Sequence, residues 1–214
     1  MRKMVPFIAA ILLTSAAVAC KNPTKNVEPA VVADAVEVAP VEQAEAPVAT
    51  QTIALNSENT KVTWIGSKVT GAHDGGFNTV SGEMTVAGTV DSIRGHIDID
   101  VTSVYSDEDK LTDHLRSGDF FSVEQYPSAK FVVTNIGEEG DEGKRVVTGN
   151  LTLRGVEKSI TFPAAIAVTD TNVTFEALFK INRKDFGIVY DGQADDLIRD
   201  DVAIEFKVDA ARPQ

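Results

Sequence analysis

Three histidines, His73, His96 and His114, are the side chains of this 214-residue chain best suited to metal or proton chemistry. A zinc site needs three or four such ligands to converge. None of the three has the close spacing of a helical metal-binding pair, and His96 falls on the polar side of an alternating run, so no metal is expected. His73-Asp74 reads like an oriented base, but Gly71, Gly75 and Gly76 flank it, which is the composition of a turn. Acidic clusters at Asp107 to Asp109, Glu138 to Glu142 and Asp195 to Asp201 are read as solvated turns. The run Asp191-Gly192-Gln193-Ala194-Asp195 lacks the alternating ligands and the later Glu of a calcium loop. No serine sits in a nucleophile-elbow pattern. The residues therefore point away from an enzyme and toward binding, with no catalytic residue and no cofactor expected.

The single cysteine, Cys20, has a different chemistry open to it. Arg2 and Lys3 form a positive start, Val5 to Leu13 is apolar apart from Pro6, and Ala17-Val18-Ala19 supplies small residues before a cleavage point. This is the layout of a signal peptide over residues 1–19, too short for a stable membrane span. A lone cysteine at that junction is a lipobox candidate, diacylated through sulfur after processing. Ordinary cleavage that leaves Cys20 incidental is the alternative, since Ala17 stands where lipoboxes usually carry Leu. Each buried methylene adds about 0.8 kcal/mol, so two or three acyl chains would anchor the protein firmly. The expected location is the bacterial cell envelope, lipid-anchored and facing the periplasm. Lys21 in place of an inner-membrane Asp favours the outer membrane.

Composition changes at about residue 52. Every Gly lies between Gly66 and Gly192, and the only Trp, all Tyr and every Phe except Phe7 lie between Trp64 and Phe206. Residues 20–52 are rich in Ala, Val, Pro and Glu, with Pro23, Pro29, Pro40 and Pro47 and no aromatic, no Gly and no regular apolar period. Prolines at this density interrupt helix and ladder alike, so an acidic, disordered tether is expected there. The domain, residues 53–210, is expected to fold without it. The net charge is −12, and −14 once Arg2 and Lys3 leave with the leader. With no basic stripe to offset that charge, nucleic acid is not an expected partner.

The domain alternates with period two. Ile93, Gly95, Ile97, Ile99 and Val101 share one side, as do Ile160, Phe162, Ala164, Ile166 and Val168. Val173, Phe175, Ala177, Phe179 and Ile181, then Val202, Ile204, Phe206 and Val208, repeat the pattern. Less regular strands are expected over Lys61–Val69, Asn78–Val90, Ala129–Ile136 and Arg145–Leu153. About eight strands with one wet face each predict an antiparallel all-β sheet. One short helix, around Asp107 to Arg116, cannot cover them, so the sheet must close on itself as a barrel or sandwich. Small inward residues (Gly66, Gly88, Gly95, Gly149, Ala164 and Ala177) either leave a lumen or permit close packing; parity alone leaves both open.

Three segments go further: HLRSGDFFSVEQYPSAKF (His114 to Phe131), VTGNLTLRGVEKSITFP (Val147 to Pro163) and INRKDFGIVYDG (Ile181 to Gly192). In wording and order they closely resemble the YceI-like family of periplasmic, polyisoprenoid-binding, lipocalin-like proteins, over residues 53–210. The resemblance implies a single eight-stranded antiparallel barrel whose apolar lumen takes an isoprenoid-type lipid, a polyisoprenoid or quinone-like molecule, for storage or transport. It also suggests a homodimer. With the inward parity, it makes Trp64, Ile97, Ile99, Leu151, Phe162, Ile166, Phe175, Phe179 and Phe186 the candidate ligand-binding residues, with Phe120 and Phe121 plugging or lining one end. A structural or stress-related envelope protein with a filled barrel is the alternative.

Overall fold

Arg154 and Gly155 both adopt the left-handed backbone conformation, with φ of 53° and 72°. That pair of positive φ angles is what a two-residue hairpin between right-twisted strands requires, and it turns the chain directly from one strand into the next. In the computed structural model, which describes residues 22–37 and 50–213, such antiparallel pairings build a mostly antiparallel, all-β fold. The signal peptide and Cys20 lie outside the described residues.

The strands are β1 (Val31–Asp34), β2 (Gln51–Asn56), β3 (Thr60–Ser67), β4 (Ala72–Phe77), β5 (Val80–Val86), β6 (Arg94–Asp100) and β7 (Val104–Ser106). After helix α1 (Asp109–Arg116) come β8 (Ser128–Glu139), β9 (Arg145–Leu153), β10 (Val156–Val168), β11 (Asn172–Asn182), β12 (Gly192–Gln193), β13 (Asp196–Leu197) and β14 (Asp201–Ala211). The main sheet runs β2-β5-β6-β8-β9-β10-β11-β14-β3-β4-β7, with β1 beside β10 and β12-β13 a separate hairpin. Because only Asn78 and Thr79 separate β4 from β5, the far end of this order is carried back toward its start, and the sheet curls around its apolar face.

Among the described residues fourteen strands replace the eight expected. Six are additions: β1 and β2 ahead of the first expected strand, β4 before the bend at Asn78–Thr79, β7 after the turn Val101–Ser103, and the two-residue β12 and β13. Gly88, expected on an inner face, lies in the bend after β5. The remaining alternation holds well. Ile93, Ile97 and Ile99 are buried, as is every odd position of β11 from Val173 to Ile181.

The core centres on four rings contributed by four strands. Phe162 stacks on Phe179 with centroids 4.0 Å apart and planes 10° from parallel. Phe206 meets Phe179 edge-on at 5.5 Å and Phe131 at 5.3 Å. Such pairs add about 0.5–1.5 kcal/mol each beyond the area they bury. Phe131 needs Gly149 opposite it, since a β-carbon there would stand 2.4 Å from its ring. That glycine serves close packing, not empty space.

The expected free tether is corrected over residues 22–37, which dock on the sheet. β10 and β11 pair only through Ala165–Val168 and Val173–Glu176, and then diverge. β1 occupies the gap, antiparallel to Lys158–Thr161 of β10. On its other side Lys180 of β11 donates its N–H to Glu28 O and accepts from Ala30 N, both at 2.9 Å. Pro29 does not prevent this, because it precedes the strand and neighbours donate in its place. Asn150, 3% exposed, donates to Val36 O at 2.7 Å and accepts from Val36 N at 3.1 Å. Thr24 is fully buried. The segment therefore supplies hydrogen bonds to two diverging strands that otherwise lack partners there.

A chain beginning at Thr50 should lose at least about 2 kcal/mol relative to one beginning at Asn22, because Asn150 and the edges of β10 and β11 lose partners. Urea unfolding of the two forms checks this, and superimposable curves would show that β1 contributes nothing.

Candidate functional site

Above the aromatic stack the apolar face does not close completely. A cavity of about 120 Å³ with a wholly apolar surface remains between the sheet and the segments that cap its mouth. β3 contributes Val62, Trp64 and Gly66, β6 Ile99, β8 Ala129 and β9 Leu151 and Leu153. β11 contributes Ile181, and β14 contributes Val202, Ile204 and Phe206. The cap adds Leu115 of α1, Phe120 and Phe121 after it, and Ile188 from the loop that follows β11. Buried Val104, Leu115, Phe120 and Ile188 form a second small core with Trp64, Tyr190 and Ile198 packed against it.

Of the candidate residues, Trp64, Ile99 and Leu151 line this cavity. Ile97 and Phe175 instead border a second cavity of about 30 Å³, with Met84, Phe131 and Val208. Phe162 and Phe179 belong to the ring stack and reach neither cavity; the same is true of Phe186, fully buried in the turn Arg183–Phe186, and of half-buried Ile166. Alternation distinguishes inward from outward but not how deep along the sheet a side chain sits. Leu115 and Ile188 carry no strand signal and were missed. The paired Phe120-Phe121 is the one cue to the cap, and both rings line the cavity.

His73 and Asp74, expected in a turn, lie in β4. The glycines beside them permit close packing: a β-carbon on Gly75 would stand 2.1 Å from Tyr105 O and 2.5 Å from the ring of Trp64, its register partner. One on Gly76 would stand 2.8 Å from Tyr105 Oη and Val62 O, whereas Gly71 faces open space. His73 Nδ1 sits 3.0 Å from Asp107 Oδ1, and Ser106 Oγ donates to the same oxygen at 2.9 Å. Burial opposes ionisation of Asp107, but the hydrogen bonds from Ser106 and His73 outweigh it and hold the carboxyl below its ordinary range. These groups tie β4 to the start of α1. His114 likewise contacts Asp119 at 2.9 Å and packs edge-on against Phe120 and Tyr190. Among the described residues no three His, Cys, Asp or Glu side chains converge as metal ligands.

The cap is held by charged side chains whose heads turn to backbone carbonyls. Arg183, 3% exposed, donates to Ile188 O at 2.7 Å, Arg199 O at 3.2 Å and Asp200 Oδ1 at 3.3 Å. Arg154, at the hairpin tip, donates to Gly187 O at 2.6 Å and Gly118 O at 2.9 Å, joining the two halves of the cap. Lys184 bridges Asp191 at 2.9 Å and Asp200 at 3.1 Å. Lys68 holds Asp196 at 2.7 Å, and Thr70 Oγ1 donates to the same carboxylate. Arg154 and Arg183 are thus joints of this mouth. Thr63 and Arg183 also line the cavity, and the buried Trp64 Nε1 has no hydrogen-bond partner among the described residues. The surface open to a guest is nevertheless hydrocarbon, which binds by exclusion of water and dispersion and discriminates by shape.

The Lys68 hydrogen bond keeps the Asp196 carboxyl below its usual range, and the same contact raises Lys68. A depressed acid contributes stability that is complete above its unfolded value of about 3.9 and lost as pH falls through its lower folded value. A raised lysine contributes below about 10.4 and loses that contribution as pH rises through its higher folded value. Protection of the β12–β13 amides, corrected for intrinsic exchange, should thus stay level between about pH 4 and 10 and fall on either side. Lys68→Met should remove the plateau's advantage at neutral pH.

Comparison with known proteins places this geometry in context. The family model described as the YceI-like domain matches residues 53–210. A UPF0312 protein of Pseudomonas putida is 33% identical over 115 residues, 51% of this chain and 59% of that protein. Protein YceI of Salmonella arizonae is 37% identical over 102 residues, 45% of this chain and 52% of its own length. The matched stretch thus spans little more than half the length of these relatives. Among solved structures, Burkholderia cenocepacia BcnA superposes with a TM-score of 0.62 at 26% identity, covering 71% of this chain and 96% of that one. A polyisoprenoid binding domain from Saccharophagus degradans has the same fold, with a TM-score of 0.62 at 18% identity over 76% of this chain and 99% of that domain. With the family model matching across all of the main sheet except β1, the chain belongs to the YceI-like family.

Proposed function

We propose that this protein is a lipocalin-like barrel that binds an isoprenoid-type lipid in its apolar lumen, for storage or transport in the bacterial envelope, and carries out no reaction. The observation that carries this reading is the cavity between Trp64, Leu151 and Ile204, wholly apolar and capped by elements stapled from outside. A hydrocarbon chain needs no polar partner along its length, and apolar burial at about 25 cal/mol per Å² suffices to hold it. The polyisoprenoid-binding nature of the Saccharophagus degradans domain supports the same ligand class. A structural envelope protein is the second reading, favoured by the ring stack that fills much of the interior.

In this proposal Cys20 carries the acyl anchor. Thr24, four residues after Cys20, is fully buried. Four residues span at most roughly 14 Å, so the anchor would hold the sheet close to the bilayer instead of on a long leash.

Protein purified from its own membranes should show, in native mass spectrometry, an adduct that organic solvent extracts. Ala129→Phe, which places a ring at a buried cavity wall, should reduce that adduct strongly, although overpacking costs about 1–3 kcal/mol of stability. Glu176→Gln, on the exposed face of β11, should leave it intact. Loss with the outward change but not the inward one would refute a lumen site.

Labelled fatty acid should enter the full-length protein, and Cys20→Ala should abolish labelling and move the protein to the soluble envelope fraction. Wild-type protein that never takes up label would exclude the anchor.

A further inference from the structure

The two cavities lie one above the other, separated by two touching rings. Phe206 borders the larger cavity and Phe131 the smaller, with centroids 5.3 Å apart. Three strands agree on the level of this partition. On β6, Ile99 borders the upper space and Ile97 the lower; on β14, Phe206 is above and Val208 below. On β8 the change falls between Ala129 and Phe131. Each pair is two residues apart on one face, so the wall is two residue steps thick, about 6.6–6.8 Å along the strand.

Neither ring is free to swing aside. Phe131 lies against the backbone at Gly149, where even a β-carbon would be 2.4 Å away, and Phe206 is braced edge-on by Phe179 and Phe162 at 5.5 and 6.2 Å. The open space above them, about 120 Å³, is close to the roughly 150 Å³ of an apolar cavity that accepts a benzene-sized guest. It is well below the roughly 300–1,000 Å³ of pockets that enclose a whole ligand.

Resting on the lipid-binding reading above, we propose that the Phe131–Phe206 partition is a chain-length stop: it admits the terminal one or two prenyl units of an isoprenoid tail and holds the rest at the mouth. Chain length past that depth adds no buried surface. Removing either ring joins the two spaces and lets a longer tail run through.

The test uses geraniol, farnesol and geranylgeraniol, titrated into the full mature chain and followed by the emission of Trp64, the only tryptophan and a wall of the upper cavity. In the wild type, affinity should change by no more than about threefold across the series, since later units stay outside. In Phe131→Leu and, separately, Phe206→Leu, it should rise by at least about tenfold from geraniol to geranylgeraniol, as each further buried methylene tightens binding. A tenfold rise per prenyl unit in the wild type overturns the stop by itself, whether or not a variant folds. Folded variants that keep the flat profile also overturn it, while leaving the lipid-binding reading in place. Absence of any response to all three alcohols in the wild type would sink that reading instead.

Discussion

Four phenylalanine rings, from β8, β10, β11 and β14, make the contact on which the rest of the molecule depends. Phe131, Phe162, Phe179 and Phe206 are each essentially inaccessible to water, and no two belong to the same strand. Full burial of one such side chain contributes about 1.5–3 kcal/mol. The rings can meet only when the sheet curls and brings its fourth- and eighth-placed strands, β8 and β14, across from one another. That packing fills the middle of the interior and leaves most of the open space, about 120 Å³ against about 30 Å³, on the mouth side. The position of the cavity is thus a consequence of where the large rings sit.

The curl has a weak line. β10 and β11 separate after four paired residues, and backbone donors and acceptors on the facing edges need partners once they leave water. β1 supplies them on both sides at once, antiparallel to one strand and parallel to the other. Asn150 extends the attachment by reading both backbone groups of Val36. Residues 22–37 accordingly serve as part of the fold.

Charge is organised around the mouth in a way that suits an apolar interior. The acidic chain has few cations, and four of them, Lys68, Arg154, Arg183 and Lys184, bridge the segments that cap the cavity. Arg183 is buried, yet its donors face carbonyls and Asp200, so its charge is satisfied without presenting a polar site to a ligand. Exposed ion pairs of this kind each contribute little to stability. Their value here is positional: they fix which loop lies over which strand end.

Much of this was legible from residue order. Alternation in β6, β10 and β11 identified the inward faces, because a strand turns every second side chain to the same side regardless of its neighbours. Phe120-Phe121 marked one end of the interior, and both rings line the cavity there. What alternation cannot encode is depth. Phe162 and Ile99 have the same inward signature, yet one lies in the ring stack and the other on the cavity wall, because register and curl set their heights. Proline content misled over residues 22–37, since it speaks to the intrinsic preference of a segment and not to an open edge more than a hundred residues away. The sequence by itself determined the inward faces of the regular strands and the family; the tertiary structure alone decided the seam filled by β1, the partition between the two cavities and the cap drawn over the larger one. Those features depend on contacts between residues distant in the chain, which no local pattern records.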